Sequence, residues 1–175
     1  PELSVMVLGG SSVQRSNQIR HVKEAGDVDV LITSYPLIRR DIDQLTDMPF
    51  RFVILDEAQH IKNAGSVGAV AVKQLQARTR FALTGTPMEN SAGELWSIFD
   101  FVLPGYLNSY SAFLRRYQDG QDAEDLRKRI RPFLMRRLKS EVLSDLPEKH
   151  EQYLYAAMPP EQERVYQTLL ATLRQ

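Results

Sequence analysis

The sequence predicts an α/β fold: a parallel sheet with flanking helices, followed by an α-helical insertion. Three observations carry that prediction. Four short apolar runs alternate with segments of helical pattern, at the spacing of strand–helix–strand units. The runs are apolar nearly throughout, which is the pattern of parallel strands covered on both faces. After Thr86 the alternation stops and helical patterns follow one another.

Taken in order, "LSVMVLGG" reads as a buried strand ending in a glycine turn. "SSVQRSNQIRHVKEAG" follows as a polar helix with serine at its start and Gly26 at its end. "DVDVLITSY" is a second strand, and Pro36 opens a short helix. "FRFVILDE" is the third strand, "SVGAVAVKQLQA" a helix capped by Ser66, and "RTRFALTGT" the fourth strand. "GELWSIFDFVL" carries Leu95, Ile98, Phe99 and Val102 at i, i+3, i+4 and i+7, which predicts a helix. Further helices are expected in "SYSAFLRRYQDG" and "DAEDLRKRIRPFLMRRLKSEVLSDLP", punctuated by Gly120 and Pro132. "EKHEQYLYAAM" alternates like a strand, and "PPEQERVYQTLLATLRQ" predicts an amphipathic helix with Pro160 in its first turn.

The bulk composition narrows the function classes. The 175 residues suffice for one good core, or for one domain and part of another. With 43% hydrophobic and 25% charged residues the chain has ordinary globular composition. No apolar run reaches the length of a membrane span, and "PELSVMVLGG" lacks the basic start of a secretory signal. A start on Pro1 is expected of a cut chain, and equally of processing or tag removal. The absence of cysteine excludes disulfides and cysteine-ligated metals and accords with a cytoplasmic location. Twenty-two basic residues balance 22 acidic ones, so any nucleic-acid footprint has to be local.

The working residues of a parallel sheet lie beyond the C-terminal ends of its strands. Three groups fall there: Thr33-Ser34-Tyr35, Asp56-Glu57 and Thr84-Gly85-Thr86. A strand that delivers Asp then Glu to its tip suits nucleotide hydrolysis. One carboxylate holds Mg²⁺ through water and the next accepts a proton from the attacking water. A bare acidic pair is equally a solvated or helix-capping pair. Gln59 and His60, within "DEAQH", add two hydrogen-bonding side chains beside it. A zinc site is disfavoured, because no second histidine stands at helical spacing.

"LDEAQHIKN" resembles the Walker B box of the Swi2/Snf2 branch of the superfamily 2 helicase-like ATPases. "FALTGTPMENSAGELWSIFDFVLPGYL" resembles that branch's motif III, and "IRPFLMRRLKSEVLSDLPEKHE" its arginine-bearing stretch toward the second lobe. "DVLITSYPLIRRD" is similar to the strand and helix ahead of Walker B. A DEAD-box RNA helicase is expected to carry Ser-Ala-Thr where this chain has "LTGTP". The resemblance implies residues 1–106 as the distal part of a first RecA-like lobe, a partial P-loop NTPase lobe. Residues 107–146 would be the helical insertion, and residues 147–175 a linker and the start of a second RecA-like lobe. No G-x-x-x-x-G-K-[ST] phosphate loop occurs, and "LGGSS" lacks its lysine. The arginine fingers of the second lobe are expected elsewhere too, so the chain alone is expected to be inactive.

The resemblance also implies roles. Asp56 would coordinate Mg²⁺ through water and Glu57 would be the general base toward ATP. Gln59, His60, Thr84, Gly85, Thr86 and Asn90 would couple nucleotide state to DNA, although Asn90 is equally read as a helix cap. Thr33, Ser34 and Tyr35 are read either as contacts to a DNA backbone phosphate or as a helix-start cap. "LRKRIRPFLMRRLKSE" holds the dense basic patch, Arg127, Lys128, Arg129, Arg131, Arg136, Arg137 and Lys139. Its plain alternative is a solvated helix face. Arg136 and Arg137 are expected to make interlobe contacts in preference to DNA contacts. Trp96, Phe99, Phe101 and Tyr106 are expected in the core under the insertion.

The function implied is that of a fragment of an ATP-dependent double-stranded DNA translocase or remodelling ATPase. Its partners would be double-stranded DNA and a DNA-bound protein as remodelling target, with no membrane, and the chain itself a monomer. The location would be cytoplasmic, at the nucleoid in a bacterium, or nuclear in a eukaryote. The alternatives are a non-catalytic DNA- or protein-binding lobe and a superfamily 2 RNA helicase.

Overall fold

The computed structural model describes residues 2–86, 91–118, 120, 122–137 and 152–173. The chain forms two compact units, Pro1–Phe133 and Leu134–Gln175.

The first unit opens with strand β1 (Val5–Val7) and helix α1 (Ser12–Ala25). Between them Gly10 takes φ 86°, and a Cβ there would stand 2.4 Å from Gln14 Oε1, so glycine is required. Ser11 and Gln14 close a reciprocal capping box, and left-handed Gly26 ends the helix. Strand β2 (Val30–Ile32) pairs parallel with β1, with Val5 opposite Val30. Helix α2 (Tyr35–Leu45) follows, with Pro36 in its first turn. Strand β3 (Phe50–Leu55), a 3-10 turn (Ala58–Ile61) and helix α3 (Val67–Gln74) come next. Strand β4 (Ala77–Ala82) pairs parallel with β3, with Phe50 opposite Ala77 and Leu55 opposite Ala82.

Helices α1 to α3 bury one core, which includes Leu8, Ile19, Leu45, Leu55, Ile61 and Val72. A buried ion pair ties α1 to α2: Arg15 Nε and Nη2 donate to Asp41 at 2.6 and 2.9 Å, and Arg15 Nη1 donates to the Gly10 carbonyl. One face of each of the two strand pairs is covered as expected. The other face is not: Val5, Val7, Ile32, Phe52, Ile54 and Phe81 are exposed. The expectation of two covered faces is corrected on that point for the described residues. An apolar strand pattern records that both faces want apolar neighbours, not that the same residues supply them.

Helix α4 (Ala92–Val102) joins this core to the helical part, since both its sides are buried. Ile98 and Phe101 enter the first core. Leu95 and Phe99 join Leu107, Phe113 and Tyr117 in a second cluster, against which Trp96 packs. Tyr106 departs from the expectation of burial: it is exposed, its ring edge-on to Phe133 and its hydroxyl donating to the Arg129 carbonyl. Its polar tip finds a carbonyl at the rim, which suits a tyrosine with one wet side. Helices α5 (Tyr110–Tyr117) and α6 (Ala123–Ile130) complete the unit, and a 3-10 turn at Arg131–Phe133 stops α6 at Pro132, which lacks the amide a continuing helix needs.

In the second unit, residues 152–159 have no regular structure and helix α7 spans Pro160–Leu173. The helix begins at the expected proline. The expected strand does not form over 152–158; alternation makes a strand only against a pairing edge, and no described residue of this unit offers one. No helix among the described residues is long and apolar enough to cross a membrane.

Candidate active site

The β3–β4 ladder builds the site. Its hydrogen bonding continues past both strands, from Leu83 N to the Leu55 carbonyl (2.8 Å) and from Ala58 N to the Leu83 carbonyl (2.9 Å). That continuation sets the turn after β3 beside the loop after β4. Asp56 and Glu57 occupy the turn, both exposed. Glu57 lies in the left-handed region at φ 50°, ψ 50°, a conformation that costs a non-glycine residue about 1–2 kcal/mol. Surrounding bonds hold it there. Glu57 N donates to Asp56 Oδ1 (3.0 Å), His60 N to the Glu57 carbonyl (3.0 Å), and Tyr35 Oη to the Asp56 carbonyl (2.7 Å). A strained residue fixed by several neighbours is a frequent feature of functional sites.

From Glu57 a chain of hydrogen bonds runs inward. Gln59 Nε2 donates to Glu57 Oε2 at 2.6 Å, Thr84 Oγ1 donates to Gln59 Oε1 at 2.7 Å, and Thr86 N donates to Thr84 Oγ1 at 3.1 Å. The structure thus brings Asp56, Glu57, Gln59, Thr84 and Thr86 together, with Gly85 between the two threonines. His60 joins through its ring, 4.9 Å from that of Tyr35. The 3-10 turn is anchored behind by fully buried Ser97 of α4, whose Oγ donates to the Ile61 carbonyl at 2.6 Å and accepts from Lys73 Nζ at 3.3 Å. Lys73 also pairs with Asp100 at 2.8 Å.

The Thr33-Ser34-Tyr35 group divides. Tyr35 turns to the acidic turn, and burial first, then Asp56 and Glu57, push its phenol up to about 12. Ser34 caps α2 through its carbonyl, which accepts from Leu37 N and Ile38 N, while its side chain makes no capping bond. Thr33 Oγ1 is buried without a hydrogen-bond partner among the described residues. Asn90 and Lys139 lie outside the described residues. Arg136 and Arg137 belong to the second unit and are exposed. In α6, Arg129 pairs with Asp125, which also accepts from the Tyr117 hydroxyl; that hydrogen bond above all holds the Asp125 carboxyl below its ordinary range. The Tyr35 and Ser97 contacts were not legible beforehand, because each meets a main-chain carbonyl, which leaves no side-chain pattern.

The donor set can be tested against Mg²⁺ and ATP. Among the described residues no group of three or more metal-ligating side chains forms a cage. Mg²⁺ needs none: it keeps most of its water and takes one or two carboxylates plus phosphate oxygens. Exposed Asp56 fits, with one oxygen engaged by Glu57 N and a hard oxygen in reserve. For ATP, the sequence has no lysine-bearing phosphate loop.

Comparison with known proteins places this geometry in a family. The model of the SNF2-related domain matches residues 1–175. The TATA-binding protein-associated factor BTAF1 of Arabidopsis thaliana is 40% identical over 183 residues, covering 94% of this chain and 9% of that protein. The putative ATP-dependent helicase/translocase YwqA of Bacillus subtilis is 39% identical, covering 97% of this chain and 19% of that protein. The solved SWI2/SNF2 ATPase core of Sulfolobus solfataricus in complex with dsDNA superposes with a TM-score of 0.70 at 35% identity, covering 99% of this chain and 37% of that one. The chain therefore spans between about a tenth and two fifths of the length of these relatives. With short parallel strand pairs, flanking helices and a family match along its whole length, this chain belongs to the Swi2/Snf2 family and has the RecA-like fold of its ATPase core.

Proposed function

We propose that the chain carries the hydrolytic carboxylates and the adjoining coupling motif of an ATP-dependent double-stranded DNA translocase or remodelling ATPase. The observation that carries this reading is the hydrogen-bonded run Glu57–Gln59–Thr84–Thr86, which links a strand-end carboxylate to the neighbouring strand's loop. Glu57 is the general base: its carboxylate is exposed to incoming water, and Gln59, two residues on, holds one oxygen and so fixes the other. Asp56 would hold Mg²⁺, which would supply charge neutralisation at the nucleotide's phosphates. Movement at Glu57 passes to Thr84 through the two amide atoms of Gln59, which makes the loop after β4 the reporter of nucleotide state. His60 and Asn90 share that task. The exposed pair Arg136–Arg137 serves interlobe contact.

The partner follows from likeness. The Sulfolobus core was solved with dsDNA, and several relatives are named as TATA-binding protein-associated factors. Duplex DNA is therefore the proposed track, and a DNA-bound protein the remodelling target. With no phosphate loop in its sequence, the 175-residue chain alone is proposed not to turn over ATP.

The test is ATP hydrolysis by the full-length protein without nucleic acid and with duplex DNA, single-stranded DNA or RNA. Stimulation by duplex DNA, abolished in Glu57→Gln while ATP binding persists, is the expected result. Stimulation by RNA alone would make it an RNA helicase. A folded protein with no turnover under any condition would make this a binding lobe, and retained turnover in Glu57→Gln would remove Glu57 from the base role.

A further inference from the structure

We propose that Tyr35 is a positioning residue for the Asp56–Glu57 turn, holding it from the start of α2 through the Asp56 main-chain carbonyl. The catalytic consequence rests on the reading of Asp56 and Glu57 given above; the positioning itself does not.

Four observations carry the proposal. The Tyr35 hydroxyl donates to the Asp56 carbonyl at 2.7 Å, across 21 residues of sequence. Its ring lies 4.9 Å from that of His60 at an interplanar angle of 40°, so one side chain touches both ends of the acidic segment. The root of that side chain is rigid. Tyr35 is the first residue of α2, Pro36 fixes the next φ, and α2 is anchored by buried Ile38, Leu45 and the Asp41–Arg15 pair. Finally, the held residue is one that would not stay unaided, since Glu57 is left-handed and lacks glycine's freedom. A tyrosine contacting a DNA phosphate would need its hydroxyl proton for that bond; here the proton is committed to the Asp56 carbonyl.

Tyr35→Phe keeps the ring on His60 and removes only the hydroxyl, so it isolates the strut from the packing. Two measurements on the full-length protein decide the matter. The first is hydrogen-exchange mass spectrometry, comparing the peptide over residues 55–61 with that over residues 67–74. The expected result is faster exchange confined to residues 55–61. Unchanged exchange there, or a uniform rise across both peptides, would overturn the proposal, the latter because it reports loss of global stability only. The second is steady-state ATP hydrolysis with saturating duplex DNA. A misplaced base lowers kcat by about tenfold, with KM for ATP and affinity for duplex DNA unchanged. Weaker DNA affinity with kcat preserved would overturn the proposal and return Tyr35 to contact with a DNA phosphate. A wild-type protein without turnover would sink the proposed function instead, and the exchange experiment would still decide whether Tyr35 holds the turn.

Discussion

Replacing Thr84 by valine is the most direct probe of the path from the acidic turn to the loop after β4. Valine keeps the branched shape that suits extended backbone and deletes only the hydroxyl. That hydroxyl donates to Gln59 Oε1 at 2.7 Å and accepts from Thr86 N at 3.1 Å. Thr86 is exposed, so water replaces the second bond at little cost; the first is half-buried and carries the effect. A neutral hydrogen bond contributes a net ~0.5–1.5 kcal/mol, which corresponds to a loss of about 2- to 12-fold in kcat if the bond forms only in the working arrangement. The discriminating assay is a double-mutant cycle with Gln59→Ala, read both in urea unfolding of the protein and in DNA-stimulated ATP hydrolysis. If Thr84 acts through Gln59, the double variant is no worse than Gln59→Ala alone, and the coupling energy equals the whole effect of Thr84→Val. Losses that multiply would refute the path, because the two side chains would then act independently.

Two further expectations follow from the same geometry. Ser97→Ala leaves the Ile61 carbonyl without its buried donor and should lower unfolding free energy by about 1–3 kcal/mol in urea titration; a change under ~0.5 kcal/mol would mean that the carbonyl finds another partner. Tyr35 titrates upward, to about 12 in the folded protein, so its contribution is fully present below the ordinary tyrosine pKa and fades as pH rises toward 12. The urea midpoint of the parent relative to Tyr35→Phe should accordingly be flat below about pH 10 and fall above it, and a difference that grows instead would contradict the assignment.

Local chemistry made much of the fold legible. Ser11, Ser66 and Ser109 all accept from the amide three residues on, and Gly26 is left-handed where the helix had to end. Each of these features is decided within a few residues, so a sequence window contains its cause. Two of the expectations that failed concern partners instead. Residues 152–158 alternate as a strand would but meet no edge among the described residues of their unit, and the exposed side chains of Val5, Ile54 and Phe81 have the apolar character of a covered face. Pattern reports what a segment can do; pairing depends on residues elsewhere. The buried Arg15–Asp41 bond lies between these cases, since its two ends look like ordinary surface residues until α1 and α2 pack.

The acidic site shows the same division at the scale of single bonds. Asp56, Glu57, Gln59 and Thr84 were expected from strand ends and spacing, and the structure sets Glu57, Gln59 and Thr84 in one hydrogen-bonded run beside Asp56. What could not be read is how the chain turns immediately after two adjacent acids. In a regular strand successive side chains point to opposite faces, and Asp56 and Glu57 would be separated. The left-handed backbone at Glu57 breaks that alternation immediately after β3, and the helical geometry of the 3-10 turn then returns Gln59 to within 2.6 Å of the Glu57 carboxylate. The bend is unfavourable in isolation, so it persists only while the Leu83 carbonyl, the Tyr35 hydroxyl and the Ser97 hydroxyl hold the main chain on three sides. Each of those three comes from a different element: the end of β4, the start of α2 and the middle of α4. A turn fixed from three elements feels displacement of any of them, which is the property required if events at the sheet edge are to alter the setting of the base.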